Sequence, residues 1–203
     1  MQIIAATPDM QGNIADLMYS AGPELYDFIY KTTKHRAQDF IQFEFESGKG
    51  FCGYRNVTVA MVDGKVIATG CFFDGRIYPK LTLATLKNIF RFYGPLNVWP
   101  ILLRLKHVES VMQQPKKTEL YLSNFGVEPV LRSTGIGKAM LEHKIAEARQ
   151  QQYRIFSLDV ADSNPRAQAL YERMGLRAGL LKKFSGKRSG IKVPNAIKME
   201  LVL

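Results

Sequence analysis

The sequence predicts an α/β (α+β) chain in which helices flank a central sheet, on three observations. Residues 56–61 and 66–73 are β-rich runs around Val62-Asp63-Gly64-Lys65, and Asp-Gly between alternating apolar runs marks an antiparallel hairpin. From Thr118 strand and helix patterns alternate: strand 119–125, helix 135–151, strand 154–160, helix 165–174, then strands at 176–183 and 197–203. With 203 residues, 46% hydrophobic and 23% charged, the chain is long enough for one substantial core, so residues 1–203 are expected to form one domain.

The earlier elements follow from periodicity. Residues 3–7 form a short apolar strand that ends at Pro8-Asp9, and Ile14, Leu17 and Met18 then repeat at helical spacing. A second helical region, 24–46, breaks near Thr32-Thr33 and stops at Gly48-Lys49-Gly50; Leu25, Phe28, Ile29, Phe40, Ile41 and Phe43 are its residues for burial. Residues 80–93 and 96–113 read as further helices, with Pro100 expected to kink or break the second. Together, residues 80–117 read as a helical insertion or cover. No repeat is visible, and the Gly/Ser/basic stretch 182–192 is expected to be a mobile loop.

Composition narrows the partners. No apolar stretch approaches the roughly 18 residues of a membrane helix, and the N-terminus lacks the basic start of a signal peptide, so a cytoplasmic protein is expected. Cys52 and Cys71 stand apart from any histidine at metal-ligand spacing and are read as reduced and structural, with no metal site. The net charge of +10 suits nucleic acid, an anionic membrane surface or a phosphate-rich cofactor, or simply a lysine-rich solvated surface.

One turn breaks that tie. Arg132-Ser133-Thr134-Gly135-Ile136-Gly137-Lys138 follows a strand and opens a helix, and its glycines let backbone N–H groups close around an anion. A helix start adds about four unpaired N–H groups and a favourable dipole, which suits a pyrophosphate. A Walker A loop would need glycine at Arg132 and Ser or Thr at Ala139, and a Rossmann turn would need a small residue at Met140. The pattern R-x-x-G-x-G resembles instead the coenzyme A pyrophosphate loop of the GNAT superfamily of N-acetyltransferases. Downstream, Asn164-Pro165-Arg166-Ala167-Gln168-Ala169-Leu170-Tyr171-Glu172-Arg173-Met174-Gly175-Leu176 resembles that superfamily's N-x-x-A-x-x-L-Y-x-x-x-G-[FL] motif at every anchor. Local physics reads the same segment as a bounded helix, with Asn164 as N-cap, Pro165 at the first position and Gly175 as stop. Tyr171 on its apolar face would otherwise be a core aromatic.

The resemblance covers residues 118–176 and implies a GNAT fold: a mixed, mostly antiparallel sheet whose fourth and fifth strands splay to admit acetyl-CoA. It implies an acyltransferase that passes the acetyl group to a primary amine by direct attack on the thioester. Phe125 and Val127 would offer backbone groups to pantetheine, the Val127 N–H would face the thioester oxygen, and Arg132, Ser133, Thr134, Gly135, Ile136, Gly137 and Lys138 would hold the pyrophosphate. Asn164 would lie beside the cofactor, and Tyr171 would face the departing sulfur. A phenol near pKa 10 protonates a thiolate near 8.5 uphill by about 1.5 units, roughly 2 kcal/mol, so partial transfer is expected.

The acceptor side has no motif. An alkylammonium near pKa 10 loses its proton at neutral pH at about 4–5 kcal/mol, so a base or water relay is expected. Glu119 shares a strand face with Tyr121 and is the candidate base; its alternative is a solvated charge at the strand start. The superfamily's frequent strand glutamate falls at Tyr121 instead. Asp39, Glu44 and Glu46 are no better placed, and His35, His107 and His143 lie outside both motifs. Tyr26, Tyr30, Phe90, Phe92, Tyr93 and Trp99 are expected in core or subunit packing, including a homodimer, more than in an acceptor pocket. A non-catalytic acyl-CoA-binding module is the rival reading. With no nucleic-acid module pattern and no spanning segment, neither nucleic acid nor membrane is expected as partner.

Overall fold

A computed structural model describes residues 1–10 and 13–203. Strands β1 (Gln2–Ala5), β2 (Val57–Val62), β3 (Lys65–Phe73), β4 (Glu119–Val127), β5 (Ile155–Ala161), β6 (Arg177–Lys182) and β7 (Ala196–Val202) form one sheet in the order β1-β2-β3-β4-β5-β7-β6. Among the described residues only the β4–β5 pair is parallel; the others are antiparallel. The β2–β3 hairpin turns at Asp63 and Gly64, both at positive φ (49° and 76°), as the Asp-Gly pair predicts.

The two faces of the sheet have different cores. On one, Met140, Leu141 and Ile145 of helix α6 (Ile136–Gln150) and Tyr171 of α7 (Pro165–Arg173) pack on Leu120, Leu122, Phe156 and Leu158. On the other, Ile14, Leu17 and Met18 of α1 (Ile14–Tyr19) meet Ile41 and Phe45 of α3 (Ala37–Ser47) over Val57, Val59 and Cys71. Burying each such side chain contributes about 1.5–3 kcal/mol, so the apolar stripes of α1, α3 and α6 select their faces.

Residues 74–118 build a third core away from the sheet. Ile89 and Tyr93 of α4 (Tyr78–Tyr93) and Val98 and Ile101 of α5 (Val98–Leu105) pack against Phe28, Ile29 and Tyr30 of α2 (Pro23–Tyr30) and Phe40 of α3. Two expectations are corrected here. Pro100 does not break α5: it is the third helical residue, where the N–H has no partner in the helix, so proline fits. The helix instead ends at Leu105, and residues 108–110 form a short 3-10 turn.

The basic stretch 182–192 is tied down rather than loose. Arg188 donates to the carbonyls of Asp27, Phe28 and Lys31 at the end of α2, and Arg104 donates to those of Ile29 (3.2 Å) and Lys31 (3.3 Å). Two guanidinium groups thus satisfy the carbonyls that a helix C-terminus leaves without partners. Phe184 adds an edge-to-face contact to Phe28, with ring centres 5.0 Å apart.

Candidate active site

The β4–β5 pairing is incomplete, and that defines the site. Parallel pairing runs from Glu119 opposite Ile155 to Leu122 opposite Leu158 and stops. Beyond it, β5 pairs only with β7 and β4 only with β3, so the two strands diverge into a wedge. A bulge shapes the β4 side: Asn124 and Phe125 together oppose Gly70, and Asn124 takes φ 54°. Past the bulge, Glu128 N–H donates to Ile67 O (2.9 Å), so by antiparallel alternation Val127 turns its N–H and C=O away from β3, into the wedge. The Val127 carbonyl there accepts from Arg132 Nε at 3.0 Å.

The glycine turn sits at the mouth of this wedge. Gly135 is the N-cap of α6 with φ 94°, a conformation that glycine adopts without strain, and Ser133 also has positive φ (69°). Arg132, Ser133, Thr134, Gly135 and Lys138 are exposed, and the first-turn amides of α6 point outward from them. Thr134 Oγ1 holds the turn by donating to Leu131 O (2.7 Å), and Arg166 of α7 reaches across to Ser133 Oγ (2.8 Å). A Cβ built on Gly137 would lie 3.5 Å from the Phe125 ring and 3.6 Å from Leu170, so this glycine lines the wedge between β4 and α7. Exposed amides, a positive helix end and the Arg132, Lys138 and Arg166 cations fit a diphosphate.

The opposite face of the sheet carries a carboxylate that the motifs do not mark. Asp159 is the first β5 residue past the paired segment and alternates with Leu158 and Val160, which face α6; it therefore points to the α1–α5 side. Its Oδ2 accepts from Tyr121 Oη (2.8 Å) and from Gln113 N–H (3.4 Å), while its Oδ1 is buried without a partner among the described residues. Burial pushes the Asp159 carboxyl above the usual range, opposed in part by the Tyr121 hydrogen bond and Lys182. Periodicity held one signal of this: a lone acid between Leu158 and Val160, inside a strand.

Glu119 is corrected. It lies at the closed end of the wedge, 1% exposed, with Oε1 taken by Ser157 Oγ and Lys198 Nζ (3.0 Å) and Oε2 by Lys116 N–H (3.0 Å). Burial pulls its carboxyl upward, but these three donors outweigh that and hold it below the ordinary range. It is a structural ion pair, neither solvated nor positioned as a base. Glu44 is similarly enclosed, accepting from Cys52 N–H (3.0 Å) and Asn88 (3.3 Å).

Beneath the bulge, Asn124 accepts from Tyr26 Oη and donates toward Cys52 Sγ (3.1 Å) and Cys71 Sγ (3.5 Å). Both cysteines are buried and free, and Cys71 together with burial pushes the Cys52 thiol up. Neutral thiols make poor nucleophiles. His143 is exposed, while the rings of His35 and His107 pack on Phe92 and Phe28. No group of three metal-ligating side chains occurs among the described residues.

Comparison with known proteins decides the family, because the model of the acetyltransferase (GNAT) family matches residues 18–176. The chain belongs to that family. A curated relative, the [ribosomal protein bS18]-alanine N-acetyltransferase of Escherichia coli K12, is 35% identical over 65 residues, which are 32% of this chain and 44% of that protein. The match thus spans less than half the length of the curated relatives. An N-acetyltransferase from Staphylococcus aureus Mu50 has the same fold, with TM-score 0.71 and 17% identity over 99% of this chain and all of the other. A Bacillus subtilis acetyltransferase solved with CoA superposes with TM-score 0.56 and 13% identity, covering all of this chain and 98% of its own.

In this GNAT chain the downstream motif divides its labour. Asn164 Oδ1 accepts from Ala167 N–H (3.1 Å), so its oxygen is committed to capping α7, and only the rest of its amide faces outward. Tyr171 is 7% exposed, and its hydroxyl has no hydrogen-bond partner among the described residues. Burial pushes the Tyr171 phenol well up, making it a hydrogen-bond donor and a poorer proton donor than its ordinary value implies. Arg166 and Asp159 are two residues at the candidate site that the motif reading did not mark.

Proposed function

We propose that this chain is an N-acetyltransferase that moves the acetyl group of acetyl-CoA to a primary amine, within one domain that includes the helices of residues 80–117. The observation that carries the reading is the wedge: an inward amide at Val127 and an amide-lined turn on one side, and on the other the Asp159 oxygen that finds no partner among the described residues. Acetyl-CoA supplies an activated thioester carbonyl. Ser133 to Lys138 and Arg166 hold its diphosphate, and Phe125 and Gly137 flank the pantetheine.

Chemistry at the wedge needs three functions from the protein. The Val127 N–H, fixed by the bulge, stabilises charge on the thioester oxygen, typically the largest single contribution in acyl transfer. Asp159 receives the acceptor ammonium and takes its proton, with Tyr121 holding the carboxylate in place. The C–S bond breaks as the C–N bond forms, and Tyr171 donates a hydrogen bond to the leaving sulfur. Both cysteines are buried, and the raised thiol of Cys52 supports direct attack over an acyl-cysteine route.

The alanine N-acetyltransferase relative supports a peptide α-amine as acceptor. Such an amine, near pKa 8, loses its proton at pH 7 for about 1.4 kcal/mol, within reach of one carboxylate. A net charge of +10 disfavours lysine-rich acceptors. Asp159 gives the site an acceptor-binding group, which favours an enzyme over a binding module. Calorimetry with acetyl-CoA, followed by an amine and N-terminal peptide panel read by thiol release, tests this. Acetyl-CoA binding with thiol release that no amine accelerates would leave the binding module; no acetyl-CoA binding would remove both.

A further inference from the structure

The outward sides of α4 and α5 and the link between them carry large exposed apolar side chains. Leu96 is 89% exposed, Trp99 64% and Leu103 59%, and Phe90 of α4 is 44% exposed. Trp99 and Leu103 lie one turn apart on α5, with Lys106 on the same stripe; on α4, Phe90 shares its outward face with Lys87 and Arg91. Between Asp74 and Glu109 the chain has six Lys or Arg and no acidic residue. None of these exposed residues belongs to the acyl-transfer wedge.

We propose that this face docks on an anionic lipid surface. Charge and shape both favour that occupant. Protruding Trp, Leu and Phe flanked by basic side chains form the composition of helices that lie in a bilayer interface, where the aromatic ring sits at headgroup depth and lysine stems reach outward. A fluid layer accepts side chains that project from convex helices, whereas a folded acidic protein would need matching pockets. A second copy is disfavoured, because a two-fold contact through this face would bring Lys87, Arg91 and Lys106 toward their own equivalents. Among the described residues no helix is long and apolar enough to cross a membrane, and surface docking requires none. The expectation that no membrane takes part rested on the absence of a span.

Trp99 is the single tryptophan, so its fluorescence reads the face directly. The whole chain is titrated with vesicles of phosphatidylcholine alone and of equal parts phosphatidylcholine and phosphatidylglycerol. Each basic residue near an anionic surface multiplies partitioning about fivefold, so three favour the anionic vesicles by on the order of a hundredfold. A blue shift with anionic vesicles only, lost at high salt, is expected. Leu103→Glu should abolish it while acetyl-CoA binding persists; Lys87→Gln with Arg91→Gln should weaken it about 25-fold, and serves alone if Leu103→Glu misfolds. Equal partitioning into neutral vesicles, no shift with either, or a shift produced only by polyglutamate would overturn the proposal. So would a lipid-free dimer that Leu103→Glu dissociates.

Discussion

Asp159→Asn keeps the shape of the side chain and removes its charge, which isolates the role proposed for it. The asparagine oxygen can still accept from Tyr121, whose hydroxyl lies 2.8 Å from the native carboxylate, so packing should survive. What disappears is the acceptor for the ammonium proton. A positioned base contributes about 10²–10⁴-fold, and we expect kcat/KM to fall by about 10² to 10³ with acetyl-CoA affinity unchanged. In the native chain the rate should rise with pH as the carboxyl ionises, at a value above the ordinary carboxylate range because burial raises it. The variant should lack that limb. Stability moves the other way: a carboxyl whose folded pKa is raised loses stability as pH climbs from its unfolded value through its folded one. Asparagine removes that loss, so Tm at neutral pH should rise, by about 2–4 °C for each kcal/mol in a chain of this size. Thiol-release kinetics across pH, calorimetry and thermal melting read the three quantities. An unchanged rate and pH profile with a lower Tm would make Asp159 a structural group and refute the assignment.

Gly135→Ala meets no atom within 4 Å but must hold φ 94°, at a cost of roughly 1–2 kcal/mol, so acetyl-CoA affinity should drop about tenfold by calorimetry. Tyr171→Phe should lower kcat while leaving acetyl-CoA affinity nearly intact; an equal rate would reduce the residue to packing. Glu119→Gln should spare the reaction and weaken the fold. Because the Glu119 carboxyl is held low, its contribution is full above the ordinary carboxylate range and fades as pH falls through the folded value. Acid-unfolding curves of the variant should therefore converge with the parent at low pH and separate near neutrality.

Local chemistry was the legible part. The Asp63-Gly64 hairpin, the Asn164 cap and the Gly135 turn are each specified by residues a few positions apart, so their geometry could be read without knowing what packs against them. The mobile-loop reading of residues 182–192 failed for the complementary reason: Arg188 finds its acceptors 161 and 160 positions away, at Asp27 and Phe28. Composition of a segment carries no information about such partners.

Strand register decided the rest. The period of 2 correctly placed Glu119 and Tyr121 on one face, yet only the sheet shows that Glu119 lies where β4 and β5 are paired and Asp159 where they part. Tyr121 and Asp159 are 38 residues apart and meet because Leu122 stands opposite Leu158. The bulge at Asn124 then changes the alternation and turns the Val127 amide into the wedge. By itself the sequence determined the glycine turn and the helices that bracket it, since those are short-range; only the tertiary structure singled out Asp159 as the proposed base over Glu119, because a carboxylate's role follows from which neighbours reach its oxygens.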